Sequence, residues 1–154
     1  LLSEQSKNDF LSDYISKNKK EIVSIFKLIH TPREFKDINF TDNKITLITN
    51  EDTERTLSEI STGQRSALAL CIFLSLNKKL SKGPNILMFD DPVTYVDDMN
   101  VLSFFDYLRE LVIKSKRQVF FATANDDLAF LFRKKFEFLG TELTDIKLER
   151  KNEN

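Results

Sequence analysis

From Leu2 to Ile29 the apolar residues Phe10, Leu11, Tyr14, Ile15, Ile22, Ile25, Phe26 and Ile29 recur at three- and four-residue steps between Lys, Glu, Asn and Ser. That period predicts an amphipathic helix, which Thr31-Pro32 ends. Such a helix suits either packing on its own domain or the last turns of a coiled-coil arm, and both readings stand. After it the period changes to two. Asp37-Ile38-Asn39-Phe40 and Lys44 to Thr49 alternate around Thr41-Asp42-Asn43 and read as a hairpin. Glu51 to Arg55 reads as a solvated charged loop.

Arg65 to Leu80 is apolar on nearly every side and reads as a buried helix, broken by Gly83-Pro84-Asn85. Ile86 to Phe89 is a continuous apolar run of strand length, which suggests a strand buried on both faces of a mostly parallel sheet. Val101, Leu102, Phe105, Leu108, Leu111 and Val112 mark one face of a further helix, with Arg109, Glu110, Lys114 and Lys116 largely off it. Gln118 to Ala124 reads as a second buried strand. Leu128, Leu131, Phe132 and Phe136 mark a shorter helix carrying Arg133, Lys134 and Lys135 on a solvated face, and Asp145 to Glu149 suits an edge strand. Strand alternating with helix calls for right-handed crossovers. The expected class is α/β, a mostly parallel sheet flanked by helices, with residues 1–31 as the entering helix and 32–154 as the main lobe.

Composition narrows this little. The 154 residues are 41% hydrophobic and 31% charged with a net charge of −1, as in a soluble globular domain with no global basic field for nucleic acid. The longest apolar run, Ala67 to Leu74, is far short of the roughly 20 residues of a membrane span, and no charged-then-apolar leader opens the sequence. A cytoplasmic protein without membrane contact is the expectation. Cys71 and His30 are each alone, which leaves no internal disulfide and too few ligands for zinc; Cys71 reads as a buried thiol.

Chemistry concentrates between Ser58 and Asp97. Ser61-Thr62-Gly63-Gln64 has the spacing of a capping box, Ser three residues before Gln, and its glycine lets a ligand approach the backbone. Free N–H groups and a positive helix end suit a phosphate; the same residues also suit a capped core helix with no ligand. Asp90 and Asp91 stand at the carboxyl end of an apolar strand, where open α/β sheets bind ligands. One carboxylate there can orient hydrated magnesium and its neighbour polarise a water for in-line attack on a phosphoryl group, or both can form a solvated acidic turn.

Taken together, four motifs in order carry a resemblance. Ser61-Thr62-Gly63-Gln64 looks like the ABC signature loop, Ile86 to Asp91 like Walker B, Pro92 to Asp97 like the D-loop, and Thr123-Ala124-Asn125-Asp126 like the switch position. The chain resembles the C-terminal lobe of a P-loop ABC ATPase head of the SMC-like group that includes RecF, RecN and the ATPases of anti-phage systems such as Lamassu. The entering helix would be the returning arm of its coiled coil.

The resemblance implies a composite ATP site. Ser61 and the Gly63 backbone would touch the γ-phosphate of ATP held by the opposite head, and Gln64 would help fix that loop. Asp90 would hold Mg2+ through water, Asp91 would position the attacking water, Asp97 would lie beside the partner's nucleotide, and Asn125 would take the place of the switch His. Three departures follow from the residues. Thr62 adds a side chain where the phosphate approaches, Asp91 is one methylene shorter than Glu, and Asn125 cannot gain a proton as His can. Slow hydrolysis, or long-lived ATP-bound closure, is implied.

Gly63, Gly83 and Gly140 are the only glycines, and no G-x-x-x-x-G-K-[ST] occurs. The phosphate-cradling loop is therefore expected from an N-terminal Walker A lobe of the same protein, without which this chain is expected to be inactive. A second head, most simply a second copy, and DNA engaged through the full assembly are the further implied partners. Repair, chromosome maintenance and phage defence all fit. The competing expectation is a degenerate scaffold that clamps ATP or a partner without hydrolysis.

Overall fold

The computed structural model describes residues 4–31, 33–41, 44–79, 83–115 and 117–148. Leu2, Pro32, Asp42, Asn43, Leu80, Lys116 and Glu149, and the side chain of Leu11, lie outside the described residues.

Helix α1 (Glu4–Ile29) buries Ile15, Ile22, Ile25, Phe26 and Ile29, the stripe its period predicts, while Phe10 stays exposed. The stripe packs on α2 (Thr62–Lys79), on strand β1 (Phe35–Thr41) and on α3 (Asp98–Ser115). So the root of α1 belongs to the core of the domain. Tyr14 Oη and Ser75 Oγ, 2.9 Å apart, fasten α1 to α2, and Cys71 lies fully buried beneath, its thiol pushed up by burial.

β1 pairs antiparallel with β2 (Lys44–Thr49), Ile38 opposite Leu47, and both of these side chains point into the core. The expected charged loop is partly a strand: Glu54 and Arg55 belong to β3 (Glu54–Thr56), opposite Ile48 and Leu47. All three β3 residues are exposed, so backbone pairing alone makes the strand and no apolar alternation announces it.

β4 (Ile86–Asp90) and β5 (Gln118–Ala122) pair in parallel, from Ile86 opposite Gln118 to Asp90 opposite Ala122, with α3 as the crossover. Among the described residues, parallel pairing is confined to these two strands. Leu87 and Phe89 face inward, where Phe89 meets Phe104 of α3 and Phe73 of α2 edge-on at 5.4 and 5.6 Å. Met88 and Phe120, on the opposite face, are 71% and 47% exposed. The expectation of strands buried on both faces is thus corrected. An apolar run records that both faces are apolar, and here the chain covers only one.

Helix α4 (Asp126–Phe136) is held by an aromatic stack: Phe132 lies 4.6 Å from Phe121 of β5, 4.3 Å from Phe136 and edge-on at 5.2 Å to Phe105 of α3. A 3-10 turn (Glu137–Glu142) follows. Asp145 to Leu148 then form no strand, and Ile146 and Leu148 are exposed, so the expected edge strand is not found among the described residues. No described helix is long and apolar enough to cross a membrane.

Candidate functional site at the signature turn and the end of β4

The Ser61–Gln64 capping box forms as its spacing predicts. Gln64 N–H donates to Ser61 Oγ at 3.1 Å, and Ser61 N–H donates to Gln64 Oε1 at 2.9 Å. The two side chains fix the first turn of α2 reciprocally. Thr62 Oγ1 accepts from Arg65 Nη2 at 3.1 Å, and Gln64 Nε2 donates to Glu34 Oε1, beyond the end of α1. Ser61 and Thr62 are exposed and Gly63 and Gln64 partly so, leaving the helix start open to solvent.

Gly63 has a reason the sequence reading lacked. A Cβ there would lie 2.7 Å from the Tyr95 carbonyl oxygen, closer than side-chain carbons come to any such atom. Only glycine lets the start of α2 sit against the turn that follows β4. The signature-type turn and the turn after β4 are therefore in van der Waals contact within this chain.

That turn begins at Asp90, exposed at the carboxyl end of β4, and continues through Asp91, whose φ of 44° is left-handed. Asp91 N–H donates to Ala122 O at 2.9 Å, carrying the parallel ladder one step past the strand. Thr123 Oγ1 donates to Asp91 Oδ1 at 2.6 Å and accepts from Asn125 N–H at 3.2 Å. Positive φ at a non-glycine residue is uncommon and gathers at functional sites, where the surroundings over-determine it. Here the ladder bond and the Thr123 bond supply that determination. Val93 anchors the turn in the core, and Thr94 Oγ1 closes it by donating to Asp91 O at 3.0 Å.

Asp97 caps α3: its Oδ1 accepts from Asn100 N–H at 3.0 Å and its Oδ2 from Asn100 Nδ2 at 2.7 Å. Asn125 caps α4, its Oδ1 accepting from Asp127 and Leu128 N–H at 2.9 and 3.1 Å. Asp97 thus opens α3 as its place before that helix leads one to expect, while the capping role of Asn125 was not assigned from the sequence. Among the described residues no group of three or more His, Cys, Asp or Glu side chains converges on a metal position, so Asp90 offers a single carboxylate. A groove of about 460 Å³ lies elsewhere, among Lys20, Glu21, Leu28, Lys78 and Tyr107, where burial and then Glu21 push the Tyr107 phenol up to about 12. It contains none of the motif residues.

No protein-family model and no curated protein matches the sequence. Solved structures do. A chain from a structural study of ATP-driven dimerization and DNA-stimulated activation of SMC ATPases aligns with a TM-score of 0.60 at 17% identity, over 79% of this chain and 75% of that one. An Smc head domain with an extended coiled coil, derived from Pyrococcus furiosus and bound to the C-terminal domain of ScpA, aligns with a TM-score of 0.57 at 16% identity. The alignment covers 84% of this chain and 33% of that one, so this chain spans about a third of that Smc chain. The fold is similar to that of part of an SMC head. At this identity the likeness is one of architecture.

The structure brings the Ser61–Gln64 turn and the Asp90–Asp97 turn together, with Asn125 joined to Asp91 through Thr123. Sequence reasoning gave no site role to Glu34, His30 or Asn100, and named Thr123 only as part of the switch-type motif, without its bond to Asp91. Each makes at least one polar contact with a residue 30 or more positions away, and no local period marks it. A polar residue inside an apolar helix face was the available signal for Asn100 alone, which is 1% exposed beside Val101 and Phe104.

Proposed function

We propose that the chain is the C-terminal half of an ATP-binding, SMC-like ABC ATPase head, completed by an N-terminal Walker A lobe of the same protein and engaging a second head. The observation that carries this reading is the contact of the capped turn with the acidic turn, made through Gly63 against Tyr95, with both left open to solvent. In the engaged pair, Ser61 Oγ and the N–H groups at Thr62 and Gly63 face the γ-phosphate held by the opposite head, a helix N-terminus being suited to an anion. Gln64 holds that turn and Thr62 adds a hydroxyl donor to it. Asp90 fits a water-mediated contact to Mg2+, the ion that neutralises phosphate charge when bound. Asp91 orients the attacking water, Asp97 lies across the interface, and Asn125 presents its Nδ2 to the γ-phosphate because its Oδ1 is engaged in capping.

The open face at Met88 and Phe120 is consistent with a sheet whose remaining strands and cover come from the Walker A lobe. Because each ATP would touch both heads, its binding stabilises the closed pair by linkage and its hydrolysis releases them. The output is movement of the arm that α1 begins, in DNA-related work such as repair, chromosome maintenance or phage defence.

A second reading has its own support: capping by Asn125 and the short reach of Asp91 both suit a clamp that holds ATP without turnover. Asp91→Asn in the full-length protein separates them. Loss of hydrolysis with ATP-dependent dimers retained supports the ATPase; dimers on ATP with no hydrolysis in the unsubstituted protein support the clamp. Hydrolysis unchanged by the substitution removes Asp91 from the mechanism.

A further inference from the structure

The root of α1 carries a buried polar group that neither helix packing nor the motifs use. His30 is 4% exposed, stacked on Phe26 at 4.9 Å, and Asn100 is 1% exposed. Burying two such side chains is costly unless each polar atom finds a partner. Asn100 finds four contacts. Its Oδ1 accepts from Thr31 N–H at 2.6 Å, which fixes the amide orientation and turns Nδ2 toward Asp97 Oδ2 and His30 Nδ1, at 2.7 and 3.2 Å, while its own N–H meets Asp97 Oδ1.

This arrangement assigns the His30 tautomer. Nδ1 faces an N–H donor, so in the neutral ring it is the acceptor and Nε2 carries the hydrogen. Nε2 is buried, has no hydrogen-bond partner, and lies 3.6 Å from Glu34 Oε1. That same oxygen accepts from Gln64 Nε2 of the signature-type turn. A sequence of polar contacts therefore runs from Ser61 through Gln64 and Glu34 to His30, and on through Asn100 to Asp97. Its one open step is the His30–Glu34 gap.

We propose that His30, Glu34 and Asn100 are positioning residues that hold the Ser61–Gln64 turn and Asp97 in a common frame with the root of α1. The tie rests on the head reading for its functional meaning, since those two turns are the parts offered to the opposite head. It makes no contact with nucleotide. A shift of the end of α1 that shortens the 3.6 Å His30–Glu34 separation to hydrogen-bond length makes this run of contacts continuous, so that both turns then follow α1. The arm and the partner-facing surface are thereby mechanically joined through side chains and not through backbone alone.

Two variants of the full-length protein test this without emptying the core. Glu34→Ala removes a half-exposed side chain, and His30→Phe keeps the aromatic stack on Phe26 while deleting both ring nitrogens. Amide hydrogen exchange reads the tie directly. In His30→Phe, exchange is expected to quicken by about tenfold not only at Thr31 and Asn100 but also at Ser61 and Gln64, with Glu34→Ala affecting the same set. ATP-dependent dimerisation should weaken by a similar factor in both, and Glu34→Gln, which keeps an oxygen toward Gln64, should restore it.

If His30→Phe changes exchange only at Thr31 and Asn100, and Glu34→Ala only at Gln64, the residues serve local packing and the proposal is overturned. If the unsubstituted protein forms no dimers on ATP, the head reading falls, and the exchange pattern still decides whether the tie exists.

Discussion

At the Ser61–Gln64 turn two side chains and two backbone N–H groups satisfy one another, a third contact reaches Glu34, and the glycine between them is seated against Tyr95 O. At the end of β4, by contrast, Asp91 sits in a left-handed conformation held by one ladder bond and the hydroxyls of Thr123 and Thr94, on a two-stranded sheet with an open face. The first region is finished within this chain, and the second is not. That difference matches the division of labour in the proposed composite site. A turn that must meet another head's phosphate gains from being rigid beforehand, because ordering it on contact would cost entropy at the moment of binding. An edge that awaits further strands and a nucleotide gains nothing from being closed early.

The largest expected effect breaks the first region. Gly63→Ala improves helix propensity by up to about 1 kcal/mol. The new Cβ, however, falls 2.7 Å from a backbone carbonyl that cannot rotate away as a flexible side chain would. Overpacking of that kind costs about 1–3 kcal/mol, so the clash wins. The variant should unfold at lower denaturant concentration, and hydrogen exchange should quicken at Val96 as the turn after β4 is pushed outward. Stability equal to or above that of the parent would show the two turns to be independent.

A smaller effect sharpens the contrast. Ser61→Ala and Thr123→Val each remove one hydroxyl that bridges a backbone N–H, and each should cost about 1 kcal/mol in chemical denaturation. Their functional consequences should differ. Loss of the Ser61 cap loosens the turn offered in trans and lowers ATP-dependent dimerisation of the full-length protein. Loss of Thr123 frees the Asp91 carboxylate, so hydrolysis should fall while dimers form as before. Equal effects of both on dimerisation would erase the distinction drawn between the regions.

Much of the finished region was legible in the residues, and little of the unfinished one. Ser61 and Gln64 announce their pairing because a capping box is a local device, complete within four residues. The stripe of α1 and the β1–β2 hairpin are legible for the same reason: period and turn chemistry are properties of a short window. Glu54 to Thr56 pair through backbone groups that every residue has, so their charge misdirects. Met88 and Phe120 read as buried because an apolar strand carries no mark of which chain covers it. Residues such as Thr123 and Asn100 act across the fold on groups far away in sequence, and only the folded chain brings them together.

The smallest effect concerns the approach to the turn. Glu59 accepts from Thr56 N–H at 2.7 Å and from Thr56 Oγ1 at 2.8 Å, and the backbone bond first, with the hydroxyl second, holds its carboxyl below the ordinary value of 4.5. A carboxyl lowered in the folded state binds its proton more readily when unfolded, so its contribution is present above about pH 4.5 and is lost as pH falls through the folded value. Glu59→Gln removes that titration. Thermal melts between pH 3 and pH 7, on the order of the window set by such carboxyls, should show the parent losing slightly more stability on acidification than the variant. Identical slopes would mean that Glu59 does not brace the loop entering Ser61, and that the turn's rigidity comes from Gln64, Glu34 and Gly63 alone.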